Sequence, residues 1–274
     1  MFADDTKIFS FEKNGQLIQQ DLTYLEEWSR NWLLDFHPDK CKQMIILKPR
    51  EEHHATQRYF CNTALNSTTK EKDLGIIFDN HLNFKDHINT VIKKCNQTMG
   101  ILRRTFINLT PDIFLPVFKA LIRSKLEYGQ LIWYPYNITD KRKIEAVQRR
   151  ATKRINGFDK MSYRERLEKL KLPTLEYRRK RGDMIEVYKI LNKFYDDNTI
   201  IRFNMAKTER RGHGLKIYKE RVLRLDIRKF FFKHRVVNDW NSLPEYVVTA
   251  ESLNSFKNRL DKHWNNIMYE NTFT

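Results

Sequence analysis

The chain has 274 residues and a formal net charge of +17, from 51 lysines and arginines against 34 aspartates and glutamates. With 41% hydrophobic residues but only 8 glycines and 7 prolines, it can build a core and is neither low-complexity nor rich in β-turns. No run of about 18 apolar residues occurs, which excludes a membrane-spanning helix. Three cysteines (Cys41, Cys61 and Cys95), none in a Cys-x-x-Cys pair, argue against a disulfide framework.

The charge is uneven. Residues 1–40 hold 4 basic and 8 acidic side chains, whereas residues 140–181 hold 16 basic and 6 acidic. An acidic head on a basic body predicts a polyanionic partner, most simply nucleic acid. The alternative is a solvated lysine-rich surface. No apolar stretch develops before Asp4 and Asp5, so no secretion signal is expected and the protein is placed inside the cell, in nucleus or cytoplasm.

In chain order, residues 1–10 read as strand, turn and strand, with Asp4 and Asp5 adjacent in the turn. A plain turn or a helix cap would also use such a pair. Residues 15–36 read as an amphipathic helix. Leu17, Leu22, Leu25, Trp28 and Trp32 recur at helical spacing, and this stripe is expected in the core. Pro38 disfavours helical geometry at His37 and ends the helix. A strand is expected over 43–47. Residues 51–70 are polar. His53 and His54 diverge as neighbours and have no third ligand at a useful spacing. Residues 72–80 read as a strand pair, in which Gly75 permits close backbone approach; an ordinary hairpin turning at Asp79-Asn80 is the plainer reading.

The rest is helical. Residues 83–107 place Phe84, Ile88, Val91, Ile92, Cys95, Met99 and Leu102 on one face. Thr110-Pro111-Asp112 opens a helix running to Leu126. Thr139 and Asp140 are expected to cap the next, over 144–155, where Arg149, Arg150, Lys153 and Arg154 alternate with Val147, Ala151 and Ile155. One face of it can pack while the other meets phosphates. Ser162 and Glu165 form a capping box, and Pro173 opens a helix reaching Phe194. That helix carries the basic run Arg178-Arg179-Lys180-Arg181, a composition also seen in nuclear localisation signals. Residues 197–220 read as a flexible connector. Phe231, Val237, Trp240 and Leu243 suggest a small terminal core. Phosphate-loop, Gly-x-Ser-x-Gly and His-Glu-x-x-His motifs do not occur.

Several separated blocks resemble the reverse transcriptases of jockey-like non-LTR retrotransposons. They are the aromatic-Ala-Asp-Asp box at Asp4-Asp5; Trp32 to Lys42, with His37 where that family usually has Asn; Leu74-Gly75-Ile76-x-x-Asp79; Lys125-Leu126-Glu127-Tyr128-Gly129-x-x-Ile132-Trp133; Ile144-Glu145-x-Val147-Gln148-Arg149-Arg150-Ala151-Thr152-Lys153-x-Ile155; and Arg235-x-x-x-x-Trp240-Asn241-x-Leu243-Pro244. The resemblance implies an α+β, mostly α, fold. It divides into a palm remnant (1–50), primer-grip-like strands (51–82), a basic helical thumb and connection (83–196), and a connector with a small C-terminal α/β domain (197–274). It implies RNA-directed DNA polymerase activity on an RNA template and DNA primer with dNTPs. Asp4 and Asp5 would be Mg²⁺ ligands, Lys40 would lie near the departing pyrophosphate, and Gly75, Arg149, Arg150, Lys153 and Arg154 would lie against nucleic acid. Two Mg²⁺ ions need a further carboxylate from an earlier strand, so this stretch alone is expected to be a fragment without polymerase activity. The alternative is a non-enzymatic, basic nucleic-acid-binding protein derived from a retroelement.

Overall fold

A computed structural model describes residues 6–10, 16–46, 56–196, 201–206, 212–221 and 229–270. Asp4, Asp5, His53, His54 and the expected turn at the start lie outside these. The chain divides into two units, residues 1–83 and 84–274.

In the first unit, helix α1 is Gln16–Trp32, shorter than expected, and Leu33 leaves it with φ 53°. A 3-10 turn, Pro38–Lys40, leads to strand β1 (Lys42–Gln43). Of the described part of the strand expected over 43–47, only its start pairs, in parallel with β4 (Asn66–Ser67). Strands β2 (Tyr59–Phe60) and β3 (Thr63–Ala64) pair antiparallel, as do β5 (Lys70–Asp73) and β6 (Ile76–Asp79). Residues 6–10 form no strand. Instead Lys7 is ion-paired with Asp73 of β5, and Ile8 packs on the small core of Leu22, Phe60 and Leu65. The side-chain amide of Gln19 clasps the backbone of Tyr59, donating to its carbonyl at 2.8 Å and accepting its N–H at 3.0 Å. That clasp fixes α1 to the β2–β3 hairpin.

The α1 stripe is core only in part, with Leu25 packed beside Leu22. Leu22 is buried, but Trp28 is 42% exposed and Trp32 67%. Periodicity identifies an apolar face; it does not supply a surface to cover it.

The second unit is helical. Helix α2 is Lys85–Thr105, with Ile88, Cys95 and Met99 buried. Helix α3 (Pro111–Phe118) continues through a π-helical turn, Lys119–Arg123, into α4 (Ser124–Glu127), where one regular helix was expected. The wider π turn matters for packing. Phe114, Phe118, Ile122 and Leu126 recur at intervals of four and are all buried. In a regular helix that spacing would drift off the core face, at about 40° per step. Underwinding by the π turn offsets the drift, while Leu121 is 45% exposed.

Helix α5 is Ile138–Thr152. Asn137, rather than Thr139 or Asp140, caps it by accepting the N–H of Thr139. Helix α6 (Tyr163–Leu170) carries the expected Ser162–Glu165 capping box. Helix α7 (Leu175–Leu191) is capped by Thr174 rather than opened by Pro173. Helices α8 (Phe232–Asn241), α9 (Glu245–Val248) and α10 (Leu253–His263) follow.

One hydrophobic core runs across position 197. Met184, Val187 and Tyr188 of α7 join Val236, Val237 and Trp240 of α8 and Phe256 and Leu260 of α10 in one cluster. Val237, Trp240 and Leu243, expected as a small terminal core, belong to this cluster. The expected flexible connector is pinned where it is described. Trp240 Nε1 donates to the Leu215 carbonyl at 2.8 Å, and the Asn241 side chain accepts the Ile217 N–H at 2.9 Å and donates to its carbonyl at 2.8 Å. Phe232 is buried, and Phe231, expected in the core, is 44% exposed.

Candidate nucleic-acid interface

Many arginines of the second unit are committed to its own architecture. In the run Arg178–Arg181, Arg178 binds both carboxylate oxygens of Glu127, 51 residues away. Arg179 is 2% exposed, donates to the Leu126 carbonyl at 3.3 Å and lies over the Trp133 ring. Arg181 grips Asp261 through two bonds of 2.5 and 2.8 Å, and Tyr177 donates to the same carboxylate at 2.8 Å. Arg235 is paired in the same two-pronged way with Asp183, at 2.8 and 2.9 Å. A fork-shaped guanidinium matches a carboxylate in this geometry, which lysine cannot reproduce. The run that resembles a localisation signal is thus an internal clamp on α4 and α10.

The motif blocks acquire structural roles in the same way. Leu126 and Trp133 are fully buried, Gly129 turns the chain at φ 62°, and Trp133 Nε1 donates to the Tyr128 carbonyl at 2.6 Å. Gln148 is fully buried and donates to Tyr163 Oη at 3.1 Å and to the Pro173 carbonyl at 3.0 Å. Glu145 accepts from Tyr163 at 2.5 Å and from the Leu175 N–H at 3.0 Å. Burial pushes the Glu145 carboxyl up, against those bonds, and pushes the Tyr163 phenol well above its usual range.

A second set of cations faces water. Val147, Gln148, Ala151 and Thr152 bury one side of α5, so Arg149, Arg150, Lys153 and Arg154 emerge exposed on the other. Arg149 stacks on Tyr163 at 5.0 Å, and Arg150 donates to Asn96 of α2 at 3.1 Å. The side chains of Lys153 and Arg154 make no hydrogen bond or ion pair among the described residues, and neither do those of Arg103 and Arg104 at the end of α2. Helices α2 and α5 lie side by side here: Arg150 meets Asn96, Arg154 and Arg103 flank one groove, and the Asn156 N–H donates to the Leu109 carbonyl at 3.0 Å. The result is a cationic strip built from two helix C-termini. Those cations also complement the carbonyl ends of both helices. Sequence reasoning found the α5 half. Arg103 and Arg104 escaped it, because only packing brings α2 beside α5; their one local signal was two adjacent arginines closing an amphipathic helix.

The other described candidates, Lys40 and Gly75, belong to the first unit. Lys40 ends the Pro38–Lys40 turn as an exposed side chain. Gly75 follows Leu74 in the β5–β6 turn, with φ 43° and 85°. Both central residues have positive φ, as a type I′ turn requires, so glycine serves the turn. The turn thus falls at Leu74-Gly75 and not at Asp79-Asn80. Asp79 instead accepts the N–H groups of His81 and Asn83 at 3.1 and 3.2 Å. Among the described residues no group of three His, Cys, Asp or Glu side chains could hold a metal ion. Among them, too, no helix is long and apolar enough to cross a membrane.

Fold and surface together define a helical unit, tied internally by arginine–carboxylate forks, with a solvent-facing cationic strip. Neither a known protein-family model nor a solved structure matches the chain. The chain is 26% identical over 146 residues to a Drosophila melanogaster protein described as "Probable RNA-directed DNA polymerase from transposon BS". The match covers 50% of this chain and 16% of that protein. This partial similarity supports a reverse-transcriptase-like relationship.

Proposed function

We propose that the chain is part of an RNA-directed DNA polymerase of a jockey-like non-LTR retroelement, and that residues 84–274 hold the backbone of its RNA and DNA strands. The observation that carries the second statement is the division of the cations. Arg178 and Arg181 of α7 and Arg235 of α8 are paired with carboxylates inside the unit, while Arg103, Arg104, Arg150, Lys153 and Arg154 stand together on its surface. Contacts of this kind neutralise phosphates, release counterions and bind with little regard to sequence. In the polymerase, Mg²⁺ and dNTPs would support nucleotidyl transfer. The candidate ligands Asp4 and Asp5 lie outside the described residues.

Titration of the whole chain with a labelled RNA–DNA hybrid at several salt concentrations tests this reading. The combined variant R103Q/R150Q/K153Q/R154Q, with unchanged circular dichroism, is expected to lower the slope of log affinity against log salt by about 3 to 4, at roughly 0.9 per phosphate contact. An unchanged slope, or no binding by the parent chain at low salt, refutes it. A D4A/D5A variant that binds as tightly as the parent would show that holding nucleic acid is independent of any metal site there.

A further inference from the structure

The cationic strip is interrupted by a hole. Between the C-terminal half of α2, the connection to α3 and α3 itself lies a cleft of about 430 Å³. Among the described residues its walls are apolar, including Met99, Leu102, Phe106, Phe114 and Val117, and hold no acidic side chain. Two arginines from different elements stand at its wall, Arg103 of α2 and Arg154 beyond the end of α5. Its size falls in the range of small-ligand clefts, about 300–1,000 Å³.

Such a cleft favours an occupant with an apolar, insertable part and negative charge immediately beside it. A nucleotide has that construction: a base with two apolar faces and a phosphate on either side. An acidic peptide would satisfy the two arginines as well, but would leave Arg150, Lys153 and Arg104 without a use. A nucleic-acid strand uses all of them, because its charge continues past the inserted unit. The walls offer no uncharged side-chain donor or acceptor to read a base edge, so insertion would be tolerant of sequence, as stacking on apolar side chains generally is.

We propose that this cleft receives one unpaired nucleotide of the strand held along the strip, with the base against Leu102, Phe106 and Phe114 and its flanking phosphates on Arg103 and Arg154. The proposal rests on the nucleic-acid reading above and gives it a specific structural preference, for an interrupted over a continuous duplex.

The test compares the whole chain on three RNA–DNA hybrids: fully paired, with a single-nucleotide bulge, and with an abasic bulge. The parent chain is expected to prefer the base-containing bulge over the abasic one about tenfold. A 2-aminopurine in the bulge should change its emission on binding, a readout that needs no variant. V117F, which fills the cleft, should reduce the preference to near unity while leaving affinity for the paired hybrid within about twofold, since Val117 carries no charge. Equal binding of all three hybrids with silent 2-aminopurine overturns the proposal and leaves the strip reading intact. No binding of any hybrid overturns the strip reading itself. A leucine- and glutamate-rich helical peptide bound in a Val117-dependent way, with no bulge preference, would assign the cleft to a protein partner and also overturn the proposal.

Discussion

Removing Arg235 should unfold the second unit more readily than removing any other surface-distant charge of α8. The guanidinium is held to Asp183 at 2.8 and 2.9 Å, to the Phe230 carbonyl at 3.2 Å and to the Leu131 carbonyl at 3.1 Å. It also lies 4.4 Å from the Tyr134 ring centre. The paired side chains are only 9% and 6% exposed. R235M keeps most of the volume and strands the Asp183 carboxylate away from water. Breaking a buried pair from one side costs about 3–5 kcal/mol. For a unit of this size that is roughly 6–20 °C in Tm, at about 2–4 °C per kcal/mol. The double variant D183L/R235M removes both charges and should recover much of the loss, leaving chiefly the two carbonyls that Arg235 served, at about 1–3 kcal/mol each. Urea unfolding followed by tryptophan emission and circular dichroism reads all three differences, with Trp240 fully buried beside the pair's helix. If R235M costs under about 1 kcal/mol, well below a broken buried pair, or if the double variant loses the sum of the singles, α7 and α8 are not joined through this pair.

Two further outcomes follow from buried groups and a third from a turn. Burial raises the folded-state pKa of Glu145 above its ordinary 4.5, so ionising it opposes folding. The folded state then binds the proton more tightly, and the contribution to stability falls as pH rises above 4.5. E145Q should flatten that part of the stability–pH curve in chemical unfolding, and an unaltered curve would refute the assignment. Cys95 is fully buried, its thiol is pushed up to about 11, and it lies 3.8 Å from the Ile122 carbonyl in the π turn. A thiol-reactive dye should label Cys41 and Cys61 in the native chain and Cys95 only on unfolding; three equal rates would contradict the packing of α2 on that turn. G75A forces a side chain onto φ 85°, at about 1–2 kcal/mol. Amide exchange over residues 76–79 should quicken about 5- to 30-fold, and unchanged exchange would place the turn elsewhere.

Local features of the structure were legible in the sequence. The capping box at Ser162–Glu165, the start of α3 at Pro111 and the alternation that leaves Arg149, Arg150, Lys153 and Arg154 exposed all depend on neighbours within a few residues. Features that need a distant surface were not. The π turn answers the packing of Ile122 against α2, and propensity carries no sign of it. The stripe of α1 has the periodicity of a buried face, yet Trp28 and Trp32 are exposed, because burial belongs to two surfaces and periodicity describes one.

By itself, the sequence determined that this is a basic, mostly helical chain with a reverse-transcriptase resemblance and a cluster of positive charge between residues 140 and 181. Only the tertiary structure decided which of the chain's charges are available. Arg178, Arg181 and Arg235 meet carboxylates 51, 80 and 52 residues away, and Arg103 stands beside Arg154 only because α2 packs on α5. A run of arginines reads the same in sequence whether it faces phosphate or carboxylate. The difference is the long-range pairing that packing imposes, since a buried charge persists only with a partner and an exposed one stays free to bind.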